Sequence, residues 1–294
     1  MPDCLRGSLT FMMPTRNVAR RYNRYARLLI LALVLGLTVM WLENSLVFPA
    51  PRYPEGVWQP AHVAVEDVYF QSADGTPLHG WFIDHPDPVA LVLYCHGNGE
   101  HLGFLDWLFA EFHERGWLVF AFDYRGYGRS GGRATEAGVL ADGHAALSWM
   151  TSRLDVTPAD IVIMGRSIGG AVAVDLAAAH GARALVLEST FTSVPDVAAR
   201  WFWNAPIRWL LRTRFDSESR IRQYSGPLFQ SHGTADTIVP LDLGERLFAA
   251  CPSADKEFLA IPGINHNELS PPAYYAALER FLARHPASRT DRVQ

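Results

Sequence analysis

Ser167 lies in Gly165-Arg166-Ser167-Ile168-Gly169, between the apolar run IVIM and the small-residue run IGGAVAVDLAAA. A serine held on a tight strand-to-helix turn needs glycine two residues to either side, because side chains there would collide with the turn. Such a serine can attack a carbonyl carbon once a base takes its proton; a neutral hydroxyl is otherwise a weak nucleophile. A second match, Gly128-Arg129-Ser130-Gly131-Gly132, follows a glycine-rich loop and no helix begins at its serine, so Ser130 is read as loop structure. Of the 11 histidines, His266 in Gly263-Ile264-Asn265-His266-Asn267 stands where a loop can bring an imidazole over the serine. Asp236, in Ser231-His232-Gly233-Thr234-Ala235-Asp236 with Val239-Pro240 following, is the acid expected to fix the tautomer of that imidazole, and Glu188 is its rival. Negative charge developing on a carbonyl oxygen needs preorganised N–H donors. The backbone N–H of Ile168 is expected to supply one, and Asn98 in His96-Gly97-Asn98-Gly99 the other, with His96 packing and orienting that loop. The chemistry these residues suit is acyl transfer through a serine ester.

Positioning them falls to an alternation of strands and helices. Two strands over 65–72 and 77–84 flank the turn Ala73-Asp74-Gly75 and predict an antiparallel hairpin. Short apolar runs at 90–94, 117–122, 161–164, 184–187, 227–231 and 257–261 are expected strands. The periodic stretches 102–115, 136–153, 168–180, 241–251 and 273–284 are expected helices. Continuous apolar strands alternating with helices predict an α/β fold, with a mostly parallel sheet covered on both faces. In such sheets the site forms at the carboxyl ends of the strands. His96, Asp123, Ser167, Glu188, Asp236 and His266 all stand just after an expected strand. Residues 191–226 read as a small helical insertion, whose Trp201, Trp203 and Trp209 are candidate walls of an acyl pocket.

The 294 residues carry a formal charge of −4, unevenly distributed. The first 27 hold six arginines and one aspartate, a basic tail of +5, which leaves −9 for the rest. Leu28 to Leu42 is a run of fifteen uncharged residues, and extension to Phe48 gives a span of about 31 Å, enough for a bilayer. An uncleaved signal anchor over 28–48 is expected, with residues 1–27 cytoplasmic and the remainder on the extracytoplasmic side, the periplasm in a Gram-negative cell. A cleaved signal peptide is the alternative that the short apolar run leaves open. Four prolines within residues 49–61 suggest a semi-rigid linker to a domain over 62–286, followed by a tail, 287–294. An overall pI of about 6.2 argues against a nucleic-acid partner of the basic-patch kind. No C-x-x-C pair or H-E-x-x-H helix is present, so no zinc is expected. The pairs Glu100–His101 and His113–Glu114 lack ligand spacing and read as surface residues. Three cysteines make no framework, although a bridge between Cys95 and Cys251 stays open.

Taken together, His96-Gly97-Asn98-Gly99, Asp123-Tyr124-Arg125-Gly126-Tyr127-Gly128, the Ser167 pentapeptide, His232-Gly233-Thr234-Ala235-Asp236 and Asn265-His266 resemble the α/β-hydrolase superfamily over roughly residues 62–286. The chain is most similar to a membrane-anchored branch with little or no lid, related to depalmitoylase-like and serine aminopeptidase-like hydrolases. The resemblance implies a Ser167–His266–Asp236 triad, Asn98 and Ile168 as oxyanion donors, and no cofactor. It implies a serine hydrolase of carboxylic esters or thioesters acting on a small-molecule or lipid-like acyl substrate at a membrane. A serine aminopeptidase on the same triad and a non-catalytic binding module are the alternatives.

Overall fold

A computed structural model of the protein describes residues 43–201 and 211–287 throughout, and positions 25, 27, 29–31, 33, 34, 36 and 38 before them. The chain divides into two compact units, Met1–Ser45 and Leu46–Gln294.

In the first unit the described positions from 25 to 38 are helical, and Leu29, Ile30, Leu31 and Leu33 are each more than half exposed. Among the described residues no helix is long and apolar enough to cross a membrane. Several positions of the expected anchor, 39–42 among them, lie outside the described residues, as do most of the basic tail and residues 288–294.

The second unit is built on eight strands: β1 (Glu66–Gln71), β2 (Pro77–Ile83), β3 (Ala90–Cys95), β4 (Trp117–Asp123), β5 (Ile161–Arg166), β6 (Ala184–Glu188), β7 (Leu228–Gly233) and β8 (Lys256–Ile261). They form one sheet in the order β1-β2-β4-β3-β5-β6-β7-β8. β2 pairs antiparallel with β1 and with β4, and the remaining pairs are parallel. β4 (WLVFAFD) is buried at every position and β3 at all but one, because helices cover both faces of the sheet.

Helices α1 (Asp106–Glu114) and α7 (Pro272–Arg284) bury Phe109, Phe112, Leu278 and Phe281 against one face. Helices α2 (Glu136–Leu154), α3 (Ile168–His180), α5 (Ser217–Ile221) and α6 (Leu241–Ala250) pack on the other; α4 (Val194–Trp201) begins the insertion after β6. The chain therefore leaves β3 toward one face, through α1, and leaves β5 toward the opposite face, through α3. β3 and β5 are neighbours, with Cys95 in register with Gly165. The divergence of their connections opens a crevice at their carboxyl ends, the place where open α/β sheets put their sites.

Two expectations need correction. The stretch 49–61 is no free linker. Phe48, the last residue of the expected anchor, is 6% exposed and packs edge-on to Phe215. Beyond it the backbone bonds across the domain, Gly128 N to Pro51 O at 2.9 Å, Tyr53 N to Gly128 O at 3.1 Å and Val57 N to Gly103 O at 2.6 Å. Trp58 is buried against His79, Trp81 and His101. The prolines suggest a spacer, but the aromatic side chains decide the outcome: burying one phenylalanine-sized group stabilises by about 1.5–3 kcal/mol. A left-handed Gly56 (φ +86°) allows the close approach, since a Cβ there would strike the Gly103 carbonyl.

The second correction concerns His101, which is fully buried, stacked on Phe104 at 3.9 Å, while Glu100 is only 20% exposed. Neither is a surface residue. The bridge left open by the sequence is not made: Cys95 and Cys251 are both buried free thiols.

The Asp123–Gly128 motif shapes the framework. Asp123 accepts from Leu102 N at 3.0 Å, and Gly128 (φ +45°) has no room for a Cβ beside that carboxylate. The Arg125 guanidinium is bonded to buried Asp142 (2.8 Å), to Asp74 (2.7 Å) and to Ser72 (3.0 Å), tying the hairpin turn to α2. Ser130 is buried, donates to Asp123 O at 2.6 Å and accepts from His79 N at 2.9 Å, a loop-closing role.

Candidate active site

Ser167 forms the turn between β5 and α3 with φ +53° and ψ −118°, a conformation that L-residues adopt only under constraint. The constraint is visible on each side. Ser167 N donates to Glu188 O at 2.9 Å, and Thr190 Oγ1 donates to Ser167 O at 2.8 Å. A Cβ at Gly165 would strike the carbonyl of Gly169, and one at Gly169 would strike the carbonyl of Cys95. The glycines two residues to either side of the serine are thus required by backbone contact.

His266 Nε2 lies 3.1 Å from Ser167 Oγ, and His266 Nδ1 lies 2.7 Å from Asp236 Oδ2. All three side chains are buried, within 9% exposure. The other carboxylate oxygen of Asp236 accepts from Ile238 N at 2.9 Å and Val239 N at 2.8 Å, which fixes the carboxylate plane. Burial raises the pKa of this carboxyl, but the N–H groups of His232, His266 and the backbone outweigh it and hold the group well below the usual carboxylate range. Asp236 is therefore ionised and faces the imidazole.

Glu188 does not compete for that place. It is half-buried at the end of β6, desolvation there pushes its carboxyl upward, and it lines a cavity of about 40 Å³ with Tyr94, Trp107, Leu269 and Tyr275.

Asn98 stands on the loop after β3. Its Oδ1 accepts from Tyr127 Oη at 2.7 Å and its Nδ2 donates to Val47 O at 2.6 Å, so its side chain is fully engaged in holding the loop. Ile168 opens α3, where the first backbone N–H groups have no partner within the helix. His96 is buried; its Nδ1 bonds Gly97 O at 2.8 Å, its ring packs 4.3 Å from Tyr124, and burial lowers its pKa. Trp201, 60% exposed, donates through Nε1 to Ile238 O at 3.3 Å, beside Asp236 in the chain. Trp203 and Trp209 lie outside the described residues. Among the described residues no group of three metal-ligating side chains is suited to a metal ion.

Known proteins are similar to this chain. Residues 86–217 match the family described as serine aminopeptidase, S33. An uncharacterized protein of Mycobacterium tuberculosis is 39% identical over 224 residues, 74% of this chain and 79% of that one. The protein bem46 of Schizosaccharomyces pombe is 30% identical over 282 residues, 90% of this chain and 93% of its own. The chain belongs to the α/β-hydrolase superfamily. Solved structures agree on the fold of this hydrolase: the Pyrococcus furiosus esterase Pf2001 superposes with a TM-score of 0.65 over 80% of this chain and 98% of that one, at 21% identity. The acetyl xylan esterase of Paenibacillus sp. R4 gives 0.63 over 86% and 93%, at 20% identity.

Two parts of the hydrolase site were beyond sequence reasoning. His232, which follows the expected strand 227–231, donates from Nε2 to Val239 O at 2.8 Å and stands 3.4 Å from Asp236 Oδ2, backing the acid. Its place four residues before Asp236 was the available signal. Arg166 and Glu100 reach the loops of His266 and Asn98 and carried no signal, because G-x-S-x-G leaves its second position open.

Proposed function

We propose that this chain is a serine hydrolase that cleaves carboxylic esters or thioesters through an acyl-enzyme. The observation that carries the proposal is the hydrogen-bonded series Ser167 Oγ, His266 and Asp236 on a strained strand-to-helix turn. His266 Nε2 takes the proton of Ser167 as Oγ bonds the substrate carbonyl carbon. The backbone N–H groups of Ile168 and Asn98 receive the oxyanion. His266 then returns the proton to the departing alcohol or thiol, and water repeats the sequence to release the acid. Asp236 keeps Nδ1 protonated and offsets the charge of the imidazolium.

The ester reading is favoured over an aminopeptidase by the carboxylates near the serine. An N-terminal ammonium needs an open anionic partner, whereas Glu100 is paired with Arg166 at 2.9 Å and the half-buried Glu188 has its carboxyl pushed upward by desolvation. The structural neighbours from Pyrococcus furiosus and Paenibacillus sp. R4, both esterases, support the same reading.

The same proposal places the enzyme on a membrane. The exposed apolar side chains of the helical positions before 39, behind six arginines, suit a single anchor ending near residue 45, with the catalytic unit extracytoplasmic. Its acyl substrate is then small or lipid-like.

Membranes containing the protein are treated with a fluorophosphonate probe, which should label wild type and leave Ser167→Ala unlabelled. Competition with acyl esters of graded length and aminoacyl amides then reports the bond class. An unlabelled wild type refutes the hydrolase reading, and competition by amides alone refutes the ester reading. Protease added to Escherichia coli spheroplasts expressing the chain should digest the catalytic unit; full protection refutes the orientation.

A further inference from the structure

Arg166 occupies the open position of the G-x-S-x-G turn, yet its side chain is 15% exposed and committed to two loops. Nη2 donates to His266 O at 2.7 Å. Nη1 donates to Glu100 Oε1 at 2.9 Å, and the second oxygen of Glu100 accepts from Gly97 N at 3.0 Å. One guanidinium at the end of β5 thus joins the main chain of the catalytic-base candidate to the main chain of the loop bearing Asn98, while the next residue along the chain is Ser167. Its partners are 66 and 100 residues away in sequence, and both lie on loops that flank the serine. A planar fork suits this task, since it holds two acceptors at a fixed mutual angle, which an ammonium cannot.

We infer that Arg166 and Glu100 are positioning residues that hold His266 and the oxyanion loop in register with Ser167, an assignment that rests on the ester-hydrolysis reading above. The pair acts on the chemical step. Neither residue touches the reacting atoms, but a displacement of the base by about 1 Å is enough to cost on the order of 100-fold in rate.

The full-length protein in mild detergent is assayed with a p-nitrophenyl ester and with the fluorophosphonate probe, alongside thermal unfolding. Arg166→Met should lower kcat about 10- to 100-fold with KM within about threefold. Arg166→Lys, which reaches one acceptor, should recover part of that loss. Glu100→Gln keeps an oxygen for Gly97 N but loses the charge, and should lower kcat about 3- to 10-fold. Because both changes break one connection, the double variant should be no slower than Arg166→Met. Should Arg166→Met fail to fold, Glu100→Gln decides the question. Losses that multiply in the double variant, a rise in KM at unchanged kcat, or Glu100→Gln with wild-type kcat would each overturn the inference. A wild type that is labelled while the variants match it overturns this inference alone; a wild type that is never labelled overturns the hydrolase reading with it.

Discussion

Replacing Asp236 by asparagine isolates what its charge and its geometry each contribute. Oδ1 accepts two backbone N–H groups, at 2.8 and 2.9 Å. An amide placed there must present its oxygen to those donors, since an NH₂ group would meet two N–H groups head-on. The NH₂ group is then forced into the place of Oδ2, 2.7 Å from His266 Nδ1. It can only donate, so Nδ1 must accept and the proton moves to Nε2. The face of the imidazole 3.1 Å from Ser167 Oγ then carries a hydrogen and can no longer take one. Loss of the base tautomer with intact geometry costs on the order of 10⁴-fold in kcat, about 5.5 kcal/mol of barrier. Rates of p-nitrophenyl ester hydrolysis and of fluorophosphonate labelling for Asp236→Asn give this directly, with Glu188→Gln, the other carboxyl near the serine, expected within about threefold of wild type. A loss below tenfold for Asp236→Asn, or a comparable loss for Glu188→Gln, would refute the tautomer reasoning.

Three further outcomes follow from the packing. Ser167→Gly removes the nucleophile but also the cost of φ +53°, so it should abolish labelling while stabilising the fold by about 1 kcal/mol, roughly 2–4 °C in Tm by calorimetry; a lower Tm contradicts the strain at the turn. Arg125→Met strands Asp142, which is wholly buried, and should cost about 3–5 kcal/mol, a fall of roughly 6–20 °C in Tm. Glu188 has its folded pKa raised above the ordinary 4.5 by burial, so the folded state holds its proton longer and stability falls as pH rises above that value. Glu188→Gln should therefore raise Tm at pH 7.5 and leave it nearly unchanged at pH 4, measured by thermal melts across the range; an equal shift at both pH values would contradict it.

The sheet was legible in the sequence because its strands are short, apolar and separated by helical periods, so residues standing after each strand could be gathered at one edge. Ser167, Asp236 and His266 were singled out that way, and the structure sets His266 within hydrogen-bond distance of both Ser167 and Asp236. What escaped are contacts whose partners carry no local pattern. Glu100 looks like any loop acid until β5 delivers Arg166 beside it. His101 reads as polar, yet a stack of Trp58 and Phe104 encloses it. Residues 49–61 look like a spacer because proline spacing is a local signal, whereas the surface that Trp58 covers is assembled from β2 and the loop after β3.

The docked segment after residue 45 also sets an order of events during synthesis. Val47, whose carbonyl holds Asn98, leaves the ribosome 51 residues ahead of its partner, and Arg52 leaves 80 residues ahead of Gly132. The first part of the catalytic unit to be made must wait, unpaired, for the loops it will close. A chain cut back to residue 86, where the family match begins, would lack the acceptor of the Asn98 side chain, the buried Phe48 and the indole over His101. The minimal catalytic unit therefore starts at Leu46, well ahead of residue 86, where the family match begins.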